Sequence, residues 1–572
     1  MRNFRQELVA LLSNETKLKP EEVDALLTIP PDSKLGDFAF PCFKLGKNPK
    51  DEAEKLNKKL SEKLNDKSHK PDFISKIVVV NAYLNFFLEP VILCQEALTE
   101  IFTQRKFYGK SDIGKDKKVV LDFSAPNIAK PFGIGHLRST VIGNCLRNLL
   151  SFLGYKTIAI NHLGDWGTQF GKLIVAYKKW GDEKELEKDP IKYLLSIYVK
   201  FHQEAEKDPT LDEEARHSFK LLEDGNAEFL ALWELFKDLT LREFKRIYNI
   251  LDIEFDSYQG EAFYNNLMDE AIKKLQEKVP TEISDGALIV NLEKYKLPPL
   301  LLRKSDGATT YHSRDLAAIF YRLQKYRADK IIYVVGSEQK LHFQQLFKTA
   351  ELYGVPAEKL VHVDFGLFLF PEGKMSTREG KVIFLEDVLN KSIDLAKNII
   401  AEKNPNLGNS EEIAKEVGVG AIIFADLSND RIRNIDFDWN RMLSFDGETG
   451  PYLQYTHARA CSILRKALEE QKLGSSDKVN FSLLESTEEQ ALVKKLYQFS
   501  DVLVAAAHSY RPHILANYLI ALAQSFNGFY HNHTVISDDK GVMKVRLLLV
   551  DCTRQVLENG LHLLGIKSPK EM

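Results

Sequence analysis

Cysteine is scarce in this chain. Five occur among 572 residues (Cys42, Cys94, Cys145, Cys461 and Cys552), and no two form a Cys-x-x-Cys pair. That scatter argues against a disulfide framework and a structural zinc site, and it suits a reducing compartment such as the cytoplasm. Long apolar runs are also missing, and the first residues are polar and charged. Neither a signal peptide nor a membrane-spanning helix is expected. Charge of one sign is lacking too: 78 Lys and Arg face 81 Asp and Glu, for a net −3. A nucleic-acid partner would have to be held by local patches rather than by a global basic field. No repeat at a solenoid period is present. What remains is an ordinary globular composition, 44% hydrophobic and 28% charged. A chain this long exceeds one core, and about three or four domains are expected.

The most informative stretch is Ser124-Ala125-Pro126-Asn127-Ile128-Ala129-Lys130-Pro131-Phe132-Gly133-Ile134-Gly135-His136-Leu137-Arg138-Ser139-Thr140. The apolar run Val119 to Phe123 before it reads as a buried strand. Leu137, Val141, Ile142, Cys145 and Leu149 after it give one apolar helical face. Strand, glycine-bearing loop and helix place free backbone N–H groups and a helix dipole where a phosphate can sit. Gly133 and Gly135 permit close approach of a nucleotide. His136 can donate to a phosphate oxygen as charge builds there. The plain alternative is a tight strand-to-helix turn with a capping histidine.

Residues 1 to about 110 read as a small α+β domain. It has an opening helix (Phe4, Leu8, Leu11, Leu12), a loop at Gly36 to Pro41, an amphipathic helix from Pro49 to Asn65, and extended segments from Ile74 to Leu88. Asn81, Tyr83 and Asn85 alternate, so an extended segment would put them on one face. Two amides and a ring there can stack on and hydrogen-bond a base; sheet packing with a polar edge is the equal alternative. Lys110 to Lys118 is a charged linker. Thr157 to Asn161 is a second strand, giving a βαβ unit whose ligands belong at the carboxyl ends of parallel strands. It runs into Gly164-Asp165-Trp166-Gly167, read as a turn anchored by its tryptophan. About 181–249 reads as an insertion of amphipathic helices. Glu261 follows it, then Tyr311 and Asp315 at same-face helical spacing, and a buried strand at Ile331 to Val335 ending in Gly336-Ser337-Glu338-Gln339. The loop Gly373 to Lys381 carries three cations and two hydroxyls between glycines; a solvated basic loop is its plain reading. From about Asn440 on the pattern is almost wholly helical. His531 and His533 are two apart without a suitably placed carboxylate or cysteine, so no metal site is expected there.

The string Ser124 to Thr140 resembles the ATP signature of class I aminoacyl-tRNA synthetases in its arginyl form. That loop usually carries two histidines bracketing two residues; here Gly133 stands in place of the first and His136 is the second. Lys374-Met375-Ser376 resembles the start of the second signature, Lys-Met-Ser-Lys-Ser, from which Thr377 and Arg378 depart. Asn161 to Gly171 also resembles the arginyl pattern. The first hundred residues resemble the arginyl domain that contacts the tRNA elbow, and the C-terminal part resembles the anticodon-binding domain, including Leu563-Leu564-Gly565-Ile566.

The resemblance covers essentially the whole chain and implies a multidomain α/β protein. An N-terminal α+β domain would span 1–110. A Rossmann-like parallel-sheet catalytic domain would span 111–440, with a helical insertion at about 181–250, and an α-helical anticodon-binding bundle would span 441–572. The implied activity is arginine–tRNA ligation: ATP, with Mg2+, activates arginine to the adenylate, and the 3′ adenosine of tRNA takes the arginine. By the same resemblance Lys130, His136, Lys374 and Ser376 are catalytic, and Pro126, Phe132, Gly133, Gly135, His136, Lys374 and Met375 hold ATP. Asn127, Glu261, Tyr311, Asp315 and Gln339 hold arginine, and Asn81, Tyr83, Asn85, Tyr455, Asn517 and Tyr518 touch tRNA. No tightly bound cofactor or metal is implied, and a cytoplasmic monomer is expected. Guanidinium recognition fits this set, since it calls for carboxylates and further polar acceptors. Two alternatives stay open. One is a catalytically impaired tRNA-binding relative, favoured by Gly133. The other is a ligase for a neutral amino acid, which would not require Glu261 and Asp315 together.

Overall fold

The computed structural model describes residues 2–30, 33–65, 71–369, 383–436, 438–469 and 479–572. The chain forms two compact units. One takes Met1–Tyr108, Arg459–Ser500 and Ala521–Asn559; the other takes Gly109–Ala458, Asp501–Ile520 and Gly560–Met572.

In the first unit, α1 (Phe4–Thr16), α2 (Pro20–Leu26), β1 (Phe38–Pro41), α3 (Pro49–Asn65), β2 (Ile74–Val80), β3 (Tyr83–Leu88) and α4 (Pro90–Gln104) follow in order. The sheet is antiparallel, in the order β1-β3-β2. Two local expectations fail here. Gly36 to Pro41 is not all loop, because Phe38 to Pro41 pair with β3, Phe38 opposite Phe86, which buries Phe38 and Phe40. Nor do Asn81, Tyr83 and Asn85 share one extended face. Asn81 sits in the β2–β3 hairpin turn at φ 56°, the left-handed region an asparagine tolerates. Asn85 is buried, leaving Tyr83 exposed with Phe43 edge-on at 5.6 Å.

The second unit is built on a parallel sheet of β4 (Lys118–Asp122), β5 (Lys156–Ile160), β9 (Lys330–Gly336) and β10 (Leu360–Phe365), ordered β10-β9-β4-β5. Val119, Val120 and Leu121 are buried, as strands covered on both faces require. Helix α5 (Leu137–Phe152) joins β4 to β5. An all-helical insertion follows: α6 (Thr168–Trp180), α7 (Glu183–Lys188), α8 (Pro190–Ala205), α9 (Thr210–Glu223) and α10 (Ala227–Leu251). Next come α11 (Met268–Gln276) and a small antiparallel sheet of β6 (Glu282–Ser284), β7 (Ala287–Val290) and β8 (Leu300–Arg303). Helix α12 (Tyr311–Tyr326) leads into β9, and α13 (Lys340–Tyr353) joins β9 to β10. Strand β11 (Phe368–Leu369) pairs with β12 (Ile435–Asp436), and α14 (Leu385–Lys403) packs with α15 (Ser410–Leu427). The remainder is helical: α16 (Trp439–Met442), α17 (Gly450–Glu469), α18 (Thr487–Tyr497), α19 (Phe499–Ser509), α20 (His513–Asn532) and α21 (Lys540–Leu564). No helix among the described residues is long and apolar enough to cross a membrane.

In the large sheet, β4 leads outward to β5 and β9 leads outward to β10, in opposite directions. The gap between β4 and β9 is therefore a topological switch point, the place where an open α/β sheet leaves a crevice beyond its carboxyl ends.

Candidate active site

The loop leaving β4 holds three non-glycine residues at positive φ: Ser124 (74°), Ala125 (46°) and Ala129 (57°). Each costs about 1–2 kcal/mol, so the surroundings must hold the loop in place. Ser139, in the first turn of α5, accepts from Ser124 N at 2.8 Å and donates to Val334 O of β9 at 2.6 Å. The buried Tyr248 hydroxyl of α10 lies 2.7 Å from Ser124 Oγ and accepts from Asn161 Nδ2 at 2.8 Å. Ala129 N donates to Thr240 Oγ1 at 3.1 Å. A glycine at position 143 lets α5 press onto the strand end, since a Cβ there would lie 2.2 Å from Phe123 Cγ.

A short 3-10 turn, Ile134–His136, precedes α5, whose first residues have no side-chain cap. Of that turn's amides, Ile134 N donates to Ile383 O at 3.1 Å and His136 N to Gly133 O at 3.0 Å, so an anion here would meet the dipole of α5 and the exposed Gly135. Gly135 is exposed there, whereas Gly133 is buried and bridges Phe384. His136 is half-buried. Its Nδ1 lies 3.3 Å from Gly133 O, and a carbonyl only accepts, so Nδ1 carries the proton in that contact. Burial, and next the charge of Lys130, push this histidine down, against the Gly133 carbonyl. Phe132 is buried against Phe244, Tyr248 and the His136 ring at 5.3, 5.3 and 5.5 Å. Its carbonyl accepts from Leu385 N, and Ile134 N donates to Ile383 O. The first loop is thus paired with the residues just after the second one. Lys374, Met375 and Ser376 lie outside the described residues.

The loop after β5 is a hub between two predicted arginine contacts. Gly164 N donates to Pro126 O and Gly164 O accepts from Ile128 N, both at 3.1 Å, and a Cβ on Gly164 would lie 2.2 Å from Asn127 Oδ1. On the other side, Leu163 O accepts from Glu261 N at 2.9 Å and Asp165 Oδ1 from Ala262 N at 2.8 Å. Asp165 is fully buried and pairs with Lys237 at 2.9 Å. The adjoining Trp166, half-buried, meets Phe219 and Trp233 of the insertion edge-on. The Gly-Asp-Trp-Gly turn thus spaces Asn127 from Glu261 and ties both to the insertion.

Glu261 is half-buried, with Arg314 Nη1 3.7 Å from Oε2. Burial, abetted by Asp315 and Asp165 and opposed by Arg314, raises its pKa from 4.5 to about 7. Asp315 lies on α12, and its Oδ2 accepts from His342 Nε2 at 2.7 Å. Burial opposes its charge, but the His342 hydrogen bond and the His162 and Arg322 charges outweigh it, holding Asp315 below the usual carboxylate range. Tyr311 is exposed, and its ring lies tilted against those of His312 and His342 at 4.2 and 5.2 Å. Gln339 is exposed in the 3-10 turn ending β9. A chain of contacts therefore runs from Asn127 through the hub to Glu261, Arg314, Asp315 and His342, three residues beyond Gln339.

Beneath it lies a pair that sequence reasoning missed. Arg322 and Asp122 meet at 2.7 Å with both side chains buried, and Arg322 Nη2 lies 3.2 Å from His162 Nδ1. The signal available was an acid closing a buried β-branched strand and an arginine on an apolar helix face. The candidate tRNA residues fare unevenly. Asn81, Tyr83, Tyr455 and Asn517 are exposed, whereas Asn85 and Tyr518 are buried.

A strained loop running into a helix at the switch point of a parallel sheet, with Glu261 and Asp315 set beyond it, suits a nucleotide-binding ligase, and the class is that of the class I aminoacyl-tRNA synthetases. The family model described as tRNA synthetases class I (R), catalytic domain, matches residues 97–439. The arginyl tRNA synthetase N terminal domain matches 2–88, and the DALR anticodon binding domain matches 453–572. The arginine–tRNA ligase of Clostridioides difficile is 48% identical over 574 residues and that of Halothermothrix orenii 47%, each covering 100% of both chains. The Thermus thermophilus arginyl-tRNA synthetase structure superposes with a TM-score of 0.83 at 26% identity, covering 100% of both chains. The chain belongs to the arginyl-tRNA synthetase family.

Proposed function

We propose that the crevice beyond β4 and β9 activates arginine and delivers it to tRNA, with the residue roles set out below. The protein is an arginine–tRNA ligase and uses ATP as substrate. The observation that supports these roles is convergence. The braced loop from Ser124 to His136 and Glu261 are both bonded to one hub, Leu163 to Asp165, and Asp315 acts electrostatically on Glu261.

ATP enters as its Mg2+ complex, with its phosphates at the N-terminus of α5 and against Gly133 and Gly135, and its nucleoside beside Pro126 and Phe132. Tyr311, Asp315 and Glu261 take the cationic groups of arginine, while Asn127 and Gln339 fix its α-amino and carboxylate end. The carboxylate then attacks the α-phosphorus in line. The bond to the bridging oxygen breaks, and pyrophosphate leaves with its magnesium. The enzyme contributes position and charge rather than a covalent nucleophile. A bound triphosphate draws a second proton onto His136, so that Nε2 donates to phosphate while Nδ1 keeps the Gly133 carbonyl. Lys130 and the second loop, with Lys374, Met375 and Ser376, neutralise the departing charge. The terminal adenosine of tRNA next attacks the adenylate carbonyl, releasing AMP. Of the six residues expected to touch tRNA, the exposed Asn81, Tyr83, Tyr455 and Asn517 are the proposed contacts, and the buried Asn85 and Tyr518 support the surfaces that carry them. The division at 1–110, 111–440 and 441–572, a monomeric state and a cytoplasmic location complete the proposal.

The test is arginine-dependent ATP–pyrophosphate exchange with and without cognate tRNA. Exchange requiring both arginine and tRNA supports the reading. Tight tRNA binding without exchange would make the protein a binding relative instead. His136→Ala retaining full adenylate formation would remove that histidine from the mechanism.

A further inference from the structure

His342 is the third residue of α13, directly after the turn that ends in Gln339. Its Nε2 lies 2.7 Å from Asp315 Oδ2. A carboxylate at that distance only accepts, so Nε2 carries the proton and donates. The imidazole thus ties α13, which begins beside Gln339, to α12, which carries Tyr311 and Asp315. Rings on several sides fix its plane: Tyr311 at 5.2 Å, His312 at 4.9 Å and Phe343 at 5.2 Å. The other ring nitrogen, Nδ1, is buried without a hydrogen-bond partner among the described residues. A side chain kept only for packing would be better served here by phenylalanine, which buries no orphaned nitrogen. Among the described residues, no hydrogen bond reaches the second carboxylate oxygen of Asp315.

We infer that His342 is a positioning residue for the amino acid: by holding Asp315 Oδ2 it fixes the carboxylate plane, so that the other oxygen meets a cationic group of arginine. This rests on the reading of Asp315 as an arginine contact. A carboxylate on a short side chain rotates easily about χ2, and a misdirected acceptor loses the directional part of a charge-assisted bond. The effect is expected at the amino-acid end, because among the described residues no hydrogen bond or ring contact joins His342 to those assigned to ATP.

Full-length His342→Phe, His342→Gln, Asp315→Ala and the double variant His342→Phe/Asp315→Ala test it in tRNA-dependent exchange. His342→Phe is expected to raise the arginine KM about tenfold, with the ATP KM and the melting temperature unchanged. His342→Gln, which keeps an N–H donor, is expected to recover most of that loss. The double variant is expected to be no worse for arginine than Asp315→Ala alone, since His342 acts through Asp315. An unchanged arginine KM in His342→Phe, an ATP KM that rises in step, or a double variant worse than Asp315→Ala would each overturn the inference. If Asp315→Ala itself leaves the arginine KM unchanged, the assignment of Asp315 fails first and takes the inference with it.

Discussion

Glu261 provides a pH test whose size follows from its surroundings. Burial raises its pKa from 4.5 to about 7, so in the free enzyme the side chain is half ionised near neutrality. The sign for stability follows directly. The folded pKa lies above the unfolded one, so ionisation opposes folding. The neutral-acid contribution is full below the unfolded value and is lost as pH rises through about 7. At about 1.4 kcal/mol per pH unit, the accumulated penalty is about 3 kcal/mol. An arginine side chain, cationic throughout, binds the ionised form and offsets that penalty. If only ionised Glu261 binds, the arginine KM falls about tenfold from pH 6 to pH 8. The assay is tRNA-dependent ATP–pyrophosphate exchange over that range, with the ATP KM measured in parallel to separate the titration of ATP and His136. Glu261→Gln should show a higher arginine KM that no longer follows this titration. An arginine KM that stays flat in the wild type, or a Glu261→Gln variant with the same slope, would refute the reasoning.

Other consequences of the geometry are as direct. Arg322→Met strips the partner from buried Asp122 and should cost about 3–5 kcal/mol in denaturant unfolding; a loss under about 1 kcal/mol would mean water reaches the pair. Ser139→Ala leaves the Ser124 amide and the Val334 carbonyl without their partner and should cost about 1–3 kcal/mol, with a raised ATP KM. An unchanged ATP KM would show that the loop is held without Ser139. Gly164→Ala drives a methyl into Asn127 Oδ1, 2.2 Å away. It should lower kcat/KM for arginine by about 10–100-fold while circular dichroism stays native.

Much of the fold was legible because its signals are local. Buried strands announce themselves as short β-branched runs, so β4, β5 and β9 were read within a residue or two of their bounds. The insertion helices follow from apolar spacing. The loop from Ser124 to His136 was legible as chemistry because its glycines, histidine and following helix are contiguous. Strand β1 was not, since Phe38 to Pro41 become a strand only by pairing with β3 more than forty residues later. The shared face of Asn81, Tyr83 and Asn85 failed for a related reason: alternation assumes an unbroken strand, and the hairpin turns at Asn81.

By itself the sequence determined the central strands and the helices, the order in which they follow and the chemical inventory of the site, because these depend on neighbours within a turn or a strand, whereas β1 needed its distant partner. Only the tertiary structure decided which groups meet and in what state of charge. It paired Asp122 with Arg322 and Asp315 with His342, and it placed Asn127 and Glu261 on opposite sides of Gly164. It also withdrew enough water from Glu261 to move its titration to neutrality. The physical reason is that Coulomb interaction and desolvation depend on distance through space, which a linear order of residues does not contain.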